Sequence, residues 1–124
     1  MGKSTLWVWH NPQCSKSREL IRLLDESKVE YDVRKYLEDA PTEREIREAL
    51  ERLGVPASQL VRKKDKLFQE LDLEDADDEK LIDAMIVYPA LIERPLVFRA
   101  WRGVIARPPE RYKELLLPGK KRES

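Results

Sequence analysis

The sequence predicts an α/β fold built on a four-stranded mixed sheet, and three observations carry that reading. Short apolar runs alternate with segments of helical periodicity. The first two runs are separated by one helix-length segment, a β-α-β unit whose strands must be parallel. The last two are separated by only a short turn, which makes an antiparallel pair.

The elements follow in order. Leu6-Trp7-Val8-Trp9 is the first strand candidate, broken by the turn chemistry of His10-Asn11-Pro12-Gln13. From Ser15 to about Ser27, Leu20, Ile21, Leu23 and Leu24 recur at helical spacing, with Arg18, Glu19, Arg22, Asp25 and Glu26 on the other side. Tyr31 to Tyr36 forms the second strand. Thr42 and Glu45 make a capping-box pattern at the start of the next helix, whose apolar face is Ile46, Ala49, Leu50 and Leu53 and whose cap is Gly54. Residues 57 to 73 read as short helical pieces around Leu60, Val61, Leu67, Phe68 and Leu71. Asp77 or Asp78 can cap a helix carrying Leu81, Ile82, Met85 and Ile86 that stops before Pro89. Two strands fit at Leu96–Ala100 and Gly103–Ala106. Pro108 and Pro109 suit the first turn of a final helix holding Tyr112, Leu115 and Leu116.

This order, β-α-β, helical block, β-β-α, is the thioredoxin arrangement with the helices of residues 42–88 inserted. A single domain is expected over residues 1–117, followed by a frayed tail at 118–124.

Composition narrows the function classes. The 124 residues are enough for one hydrophobic core, with 41% apolar and 39% charged residues. The 24 basic and 24 acidic side chains cancel, so there is no net field to hold nucleic acid or an anionic membrane, although a local patch could attract a small anion. No apolar run is long enough to span a bilayer. The start, Met1-Gly2-Lys3-Ser4-Thr5, does not read as a secretory signal, so the cytoplasm is the expected compartment. A monomer is expected.

The chain has one cysteine and one histidine. An intramolecular disulfide is excluded, and the pair does not fill a zinc site, so no metal is expected. A lone cysteine is commonly a small buried hydrophobe. Cys14, however, falls between the first strand and the first helix, at the carboxyl end of a strand where open sheets bind ligands. There a helix N-terminus favours thiolate over thiol, and its free N–H groups can cradle an oxyanion. Lys16 and Arg18 add positive charge, and Ser17 adds a hydroxyl. His10 could be an idle imidazole at a strand end, or it could approach the sulfur and favour its ionised form. Arg62, Arg94 and Arg107 interrupt apolar text. Each could snorkel or pair with a carboxylate, or offer its planar fork to an oxyanion.

His10-Asn11-Pro12-Gln13-Cys14-Ser15-Lys16-Ser17-Arg18 resembles the HNPxCxxSR active-site loop of the glutaredoxin-linked ArsC-type arsenate reductases. Glu93-Arg94-Pro95 and Ala106-Arg107-Pro108-Pro109-Glu110 resemble two further family signatures, and Leu60-Val61-Arg62-Lys63 a third segment. The resemblance runs from about Leu6 to Leu116, and the short C-terminal end is similar to a shorter chromosomal branch. Ser15-Lys16 stands where well-studied members carry Gly-Thr. The resemblance implies a thioredoxin-like fold, Cys14 as nucleophile and His10 keeping it ionised. It implies oxyanion binding by Arg62, Arg94 and Arg107 with Asn11 and Ser17, and a cis peptide before Pro95. It also implies glutathione as reducing co-substrate and glutaredoxin as partner, with no bound cofactor. Two alternatives go with it: a glutathione-dependent thiol oxidoreductase with another substrate, and a regulator that binds RNA polymerase as Spx-type proteins do. The latter use a CxxC switch, which Ser17 at the second position precludes.

Overall fold

The computed structural model of the chain describes residues 5–117; residues 1–4 and the expected tail at 118–124 lie outside them. Two compact units are present: Met1–Lys35 with Arg94–Ser124, and Tyr36–Glu93.

The first unit holds the sheet. Its elements are β1 (Leu6–His10), α1 (Ser15–Ser27), β2 (Tyr31–Lys35), β3 (Leu96–Arg99) and β4 (Arg102–Ile105), with a 3-10 helix over Pro109–Leu115. The strand order is β2-β1-β3-β4. β1 and β2 are parallel, pairing Leu6 with Tyr31 and His10 with Lys35. β3 is antiparallel to both β1 and β4, with Val97 opposite Val8 on one side and Val104 on the other. This is the mixed sheet expected from the two kinds of connection.

One sheet face is closed by α1 and the 3-10 helix. Leu20 and Leu24, one turn apart on α1, pack with Leu6, Val8, Val97, Val104, Ala106, Tyr112 and Leu115. Each such aliphatic side chain contributes about 1.5–3 kcal/mol on leaving water. The Ser27 and Tyr112 hydroxyls hydrogen-bond at 2.9 Å, tying the end of α1 to the 3-10 helix. On the opposite face Trp9 packs edge-on against Phe98, with the Arg34 guanidinium 5.3 Å from the Trp9 ring centre.

The second unit is helical: α2 (Glu43–Leu53), α3 (Ala57–Leu60), α4 (Lys66–Glu70), α5 (Asp78–Val87) and a short 3-10 turn at Pro89–Leu91. The capping box of Thr42 and Glu45 is formed in both directions. Gly54 closes α2 in the left-handed region at φ 69°. Asp77 caps α5. An isolated antiparallel bridge joins Val61 to Ile92, flanked by Arg62 N–H to the Leu91 carbonyl and Glu93 N–H to the Leu60 carbonyl.

Three expectations change. β2 ends at Lys35 rather than Tyr36, and Tyr36 is fully buried in the helical unit, its hydroxyl 3.5 Å from the Ile92 carbonyl. The final helix is 3-10, not α. Pro108 and Pro109 remove two N–H donors at its start. The Leu115 carbonyl at its end is taken by Arg99 and Arg102 and the Leu117 carbonyl by Arg102. The last two strands cover Leu96–Arg99 and Arg102–Ile105, because the turn is Ala100-Trp101 with Ala100 at φ 54°.

Candidate active site

β1 runs into α1 through the segment Asn11–Cys14, which carries the one cysteine. The Asn11 main chain is fixed at both ends: its carbonyl accepts from Cys14 N–H at 3.0 Å, and its N–H donates to Ser17 Oγ at 3.0 Å. Its side-chain Oδ1 accepts from Gln13 N–H at 2.9 Å, an Asx turn. Arg18 reaches back from α1 to donate to the Pro12 carbonyl at 2.9 Å. The turn is thus closed on itself before any ligand arrives.

These bonds put Cys14 at the N-cap of α1, where its own carbonyl starts the helix by accepting from Arg18 N–H. The side chain makes no cap hydrogen bond of the usual kind. Cys14 is half-buried, and burial alone pushes its thiol pKa up. The N–H groups of Ser17 and Lys16, then a hydrogen bond and the positive charge of Arg94, outweigh burial and hold the thiol below its ordinary range.

Arg94 is 7% exposed and precedes β3. The Arg94–Pro95 bond is cis, as is Arg107–Pro108. The exposed Arg107 donates through Nη1 to the Arg94 carbonyl at 2.9 Å, and Ala106 N–H donates to the Pro95 carbonyl at 2.9 Å. The two signatures around Arg94 and Arg107 are therefore stitched together beside the sheet.

His10 is buried at the end of β1, its Nδ1 2.6 Å from Ser17 Oγ. Burial first, then the charges of Lys35 and Arg18, lower its pKa, so the ring is neutral at neutral pH. It is not a counter-charge to the sulfur; it touches Ser17. Ser17 is fully buried, its hydroxyl between His10 and Asn11 N–H. Asn11 and Ser17 are expected at the substrate; the Asn11 Oδ1 and the Ser17 hydroxyl bond within the loop.

The sheet unit thus brings together Cys14, His10, Asn11, Ser17, Arg94, Pro95 and Arg107. Arg62 belongs to the helical unit, part-exposed, 3.7 Å from Asp65. The clamp of Arg18 on Pro12 and the position of Lys35 beside His10 have no signal in the sequence; only strand pairing brings Lys35 there. Among the described residues no three His, Cys, Asp or Glu side chains lie together as metal ligands, and no helix is long and apolar enough to cross a membrane.

The chain matches the model of the ArsC family over residues 9–115. It is 43% identical over 112 residues to the protein YfgD of Escherichia coli, covering 88% of this chain and 94% of that one. It is 36% identical over 112 residues to an arsenate reductase of Neisseria meningitidis, covering 88% and 96%. The structure of an arsenate reductase from Vibrio cholerae superposes with a TM-score of 0.85 at 38% identity, covering 90% of this chain and 97% of that one. With the Cys14 loop, the Arg94–Pro95 turn and strands β2, β3 and β4 inside the matched span, the chain belongs to the ArsC family and has its thioredoxin-like fold.

Proposed function

We propose that the protein reduces arsenate to arsenite through a covalent adduct on Cys14, drawing electrons from glutathione and glutaredoxin in the cytoplasm. The observation that carries this reading is the sulfur at the α1 N-terminus, with two backbone N–H groups and the Arg94 guanidinium acting on it. Relatives named arsenate reductases, at 36% identity and at a TM-score of 0.85, support the choice of oxyanion.

The Cys14 thiolate attacks arsenic and expels hydroxide, leaving a thio-arsenate adduct. Arg94 and Arg107 offset the charge of the anion before and during attack. His10 acts as a positioning residue: it fixes the Ser17 hydroxyl, and the Ser17 N–H favours the thiolate. Glutathione thiolate then attacks the Cys14 sulfur. The S–S bond forms as the S–As bond breaks, and the electron pair of that bond reduces As(V) to As(III). Arsenite leaves, two thiols having been oxidised to one mixed disulfide. Glutaredoxin returns Cys14 to the thiol.

The test is NADPH oxidation coupled through glutathione reductase, with glutathione, glutaredoxin and arsenate. Turnover that is abolished by Cys14→Ser is expected. A Cys14–glutathione adduct without arsenate turnover would assign the same thiol chemistry to another substrate, and turnover that survives Cys14→Ser would overturn the reading.

A further inference from the structure

A second thiol must reach Cys14 from solution in the reaction proposed above, and the sheet places cations on both sides of the strand that leads to it. The order β2-β1-β3-β4 sets β2 on one side of the His10–Cys14 connection and the Arg94 end of β3 on the other. The β3 side holds Arg94 and Arg107, joined through the Arg94 carbonyl.

The β2 side holds Lys35, the register partner of His10. In-register neighbours share a sheet face, so Lys35 stands on the same face as His10, whose ring meets Ser17 of α1. Its charge is felt by that ring. Lys16 stands in the first turn of α1, two residues from the nucleophile. Both lysines are exposed, and among the described residues neither forms an ion pair. Arg22, Arg47 and Arg111, by contrast, are each engaged by carboxylates. A solvated lysine needs no explanation alone; Lys35 beside His10 and Lys16 two residues from Cys14, with Arg18 also acting on His10, offer positive charge to an anionic thiol.

Resting on the reading above, we propose that Lys35 and Lys16 form a carboxylate subsite for the thiol co-substrate, so that the β3 side takes the oxyanion and the β2 side takes glutathione. Glutathione is a tripeptide with a carboxylate at each end of the chain from its central cysteine, so one end can meet the lysines while the sulfur meets Cys14. Selection is by charge, favouring acidic thiols over neutral ones of equal reactivity.

The test needs no arsenate. Cys14 thiolate attacks a disulfide, one S–S bond forming as one breaks and one thiolate leaving. Its rate is measured on the full chain by intact mass with glutathione disulfide and with bis(2-hydroxyethyl) disulfide, which is uncharged. Lys35→Glu is expected to slow glutathione disulfide about fivefold and leave the neutral disulfide unchanged, with the difference shrinking at high salt. Lys35→Arg is expected to retain the preference. Equal slowing of both disulfides would mean that Lys35 acts on thiol reactivity alone, and no slowing of either would mean that it is bystander charge; each overturns the subsite. If the selectivity appears and arsenate is not turned over, the subsite stands and the arsenate reading falls. Arsenate turnover with glutathione but no charge selectivity gives the reverse.

Discussion

Ser17 joins the imidazole of His10 to the turn that presents Cys14. Its hydroxyl takes the buried Asn11 N–H and faces His10 Nδ1, while its own N–H favours the thiolate. The Cys14 thiol accordingly ionises below the ordinary range, so alkylation by iodoacetamide is expected to proceed well below the pH at which free glutathione reacts. Arg94→Ala should move that profile upward and weaken arsenate binding strongly, and Arg94→Lys should restore it only in part, since a point charge does not reproduce the fork. The same change at Arg44, exposed on α2, should move neither. His10 gives a second pH signature. Its folded pKa lies below the unfolded 6.5, so as pH falls through 6.5 the unfolded chain binds a proton first and stability declines until the folded ring also titrates. The urea midpoint of the native chain should therefore fall more steeply from pH 7 to pH 5 than that of His10→Gln; parallel slopes would contradict the assignment of a neutral buried imidazole.

The elements differ in how local their causes are, and this decided what could be read from the sequence. Thr42 and Glu45 cap α2 reciprocally within four residues, and Gly54 ends it with the one residue type free at positive φ, so both ends were legible. Thr42→Ala should cost about 1 kcal/mol of stability and leave Cys14 alkylation unchanged. Leu24→Ala, which opens the core beneath α1, should cost about 2–5 kcal/mol, read as a lowered denaturation midpoint. Periodicity ended α1 near Ser27, as observed, but not its cap: Lys28 takes the left-handed position at φ 58° without a glycine to announce it. Ala100 does the same in the β3–β4 turn. The end of the last, 3-10 helix is held by Arg99 and Arg102, which bind the Leu115 carbonyl from 16 and 13 residues away. In the site, the motif pointed to Cys14 and Arg94, whereas the tasks of Asn11 and Ser17 depend on hydrogen bonds that no spacing reveals.

For the whole molecule the governing fact is the cysteine count. With 24 basic and 24 acidic residues and one cysteine, the chain has no net charge and no second thiol. Arsenate reduction needs two electrons, and one thiol supplies half of a disulfide. A dithiol enzyme closes its own disulfide and hands it to thioredoxin; in the proposed reaction this chain takes its second thiol from solution. The measurement that tests this most directly compares arsenate-dependent NADPH oxidation under two electron supplies, with the intact mass of the enzyme followed in each. Glutathione, glutaredoxin and glutathione reductase should sustain turnover, with a Cys14–glutathione disulfide visible when glutaredoxin is withheld, while thioredoxin and thioredoxin reductase alone should give almost none. Robust arsenate reduction by thioredoxin, thioredoxin reductase and NADPH, with no mass shift on Cys14, would contradict the account.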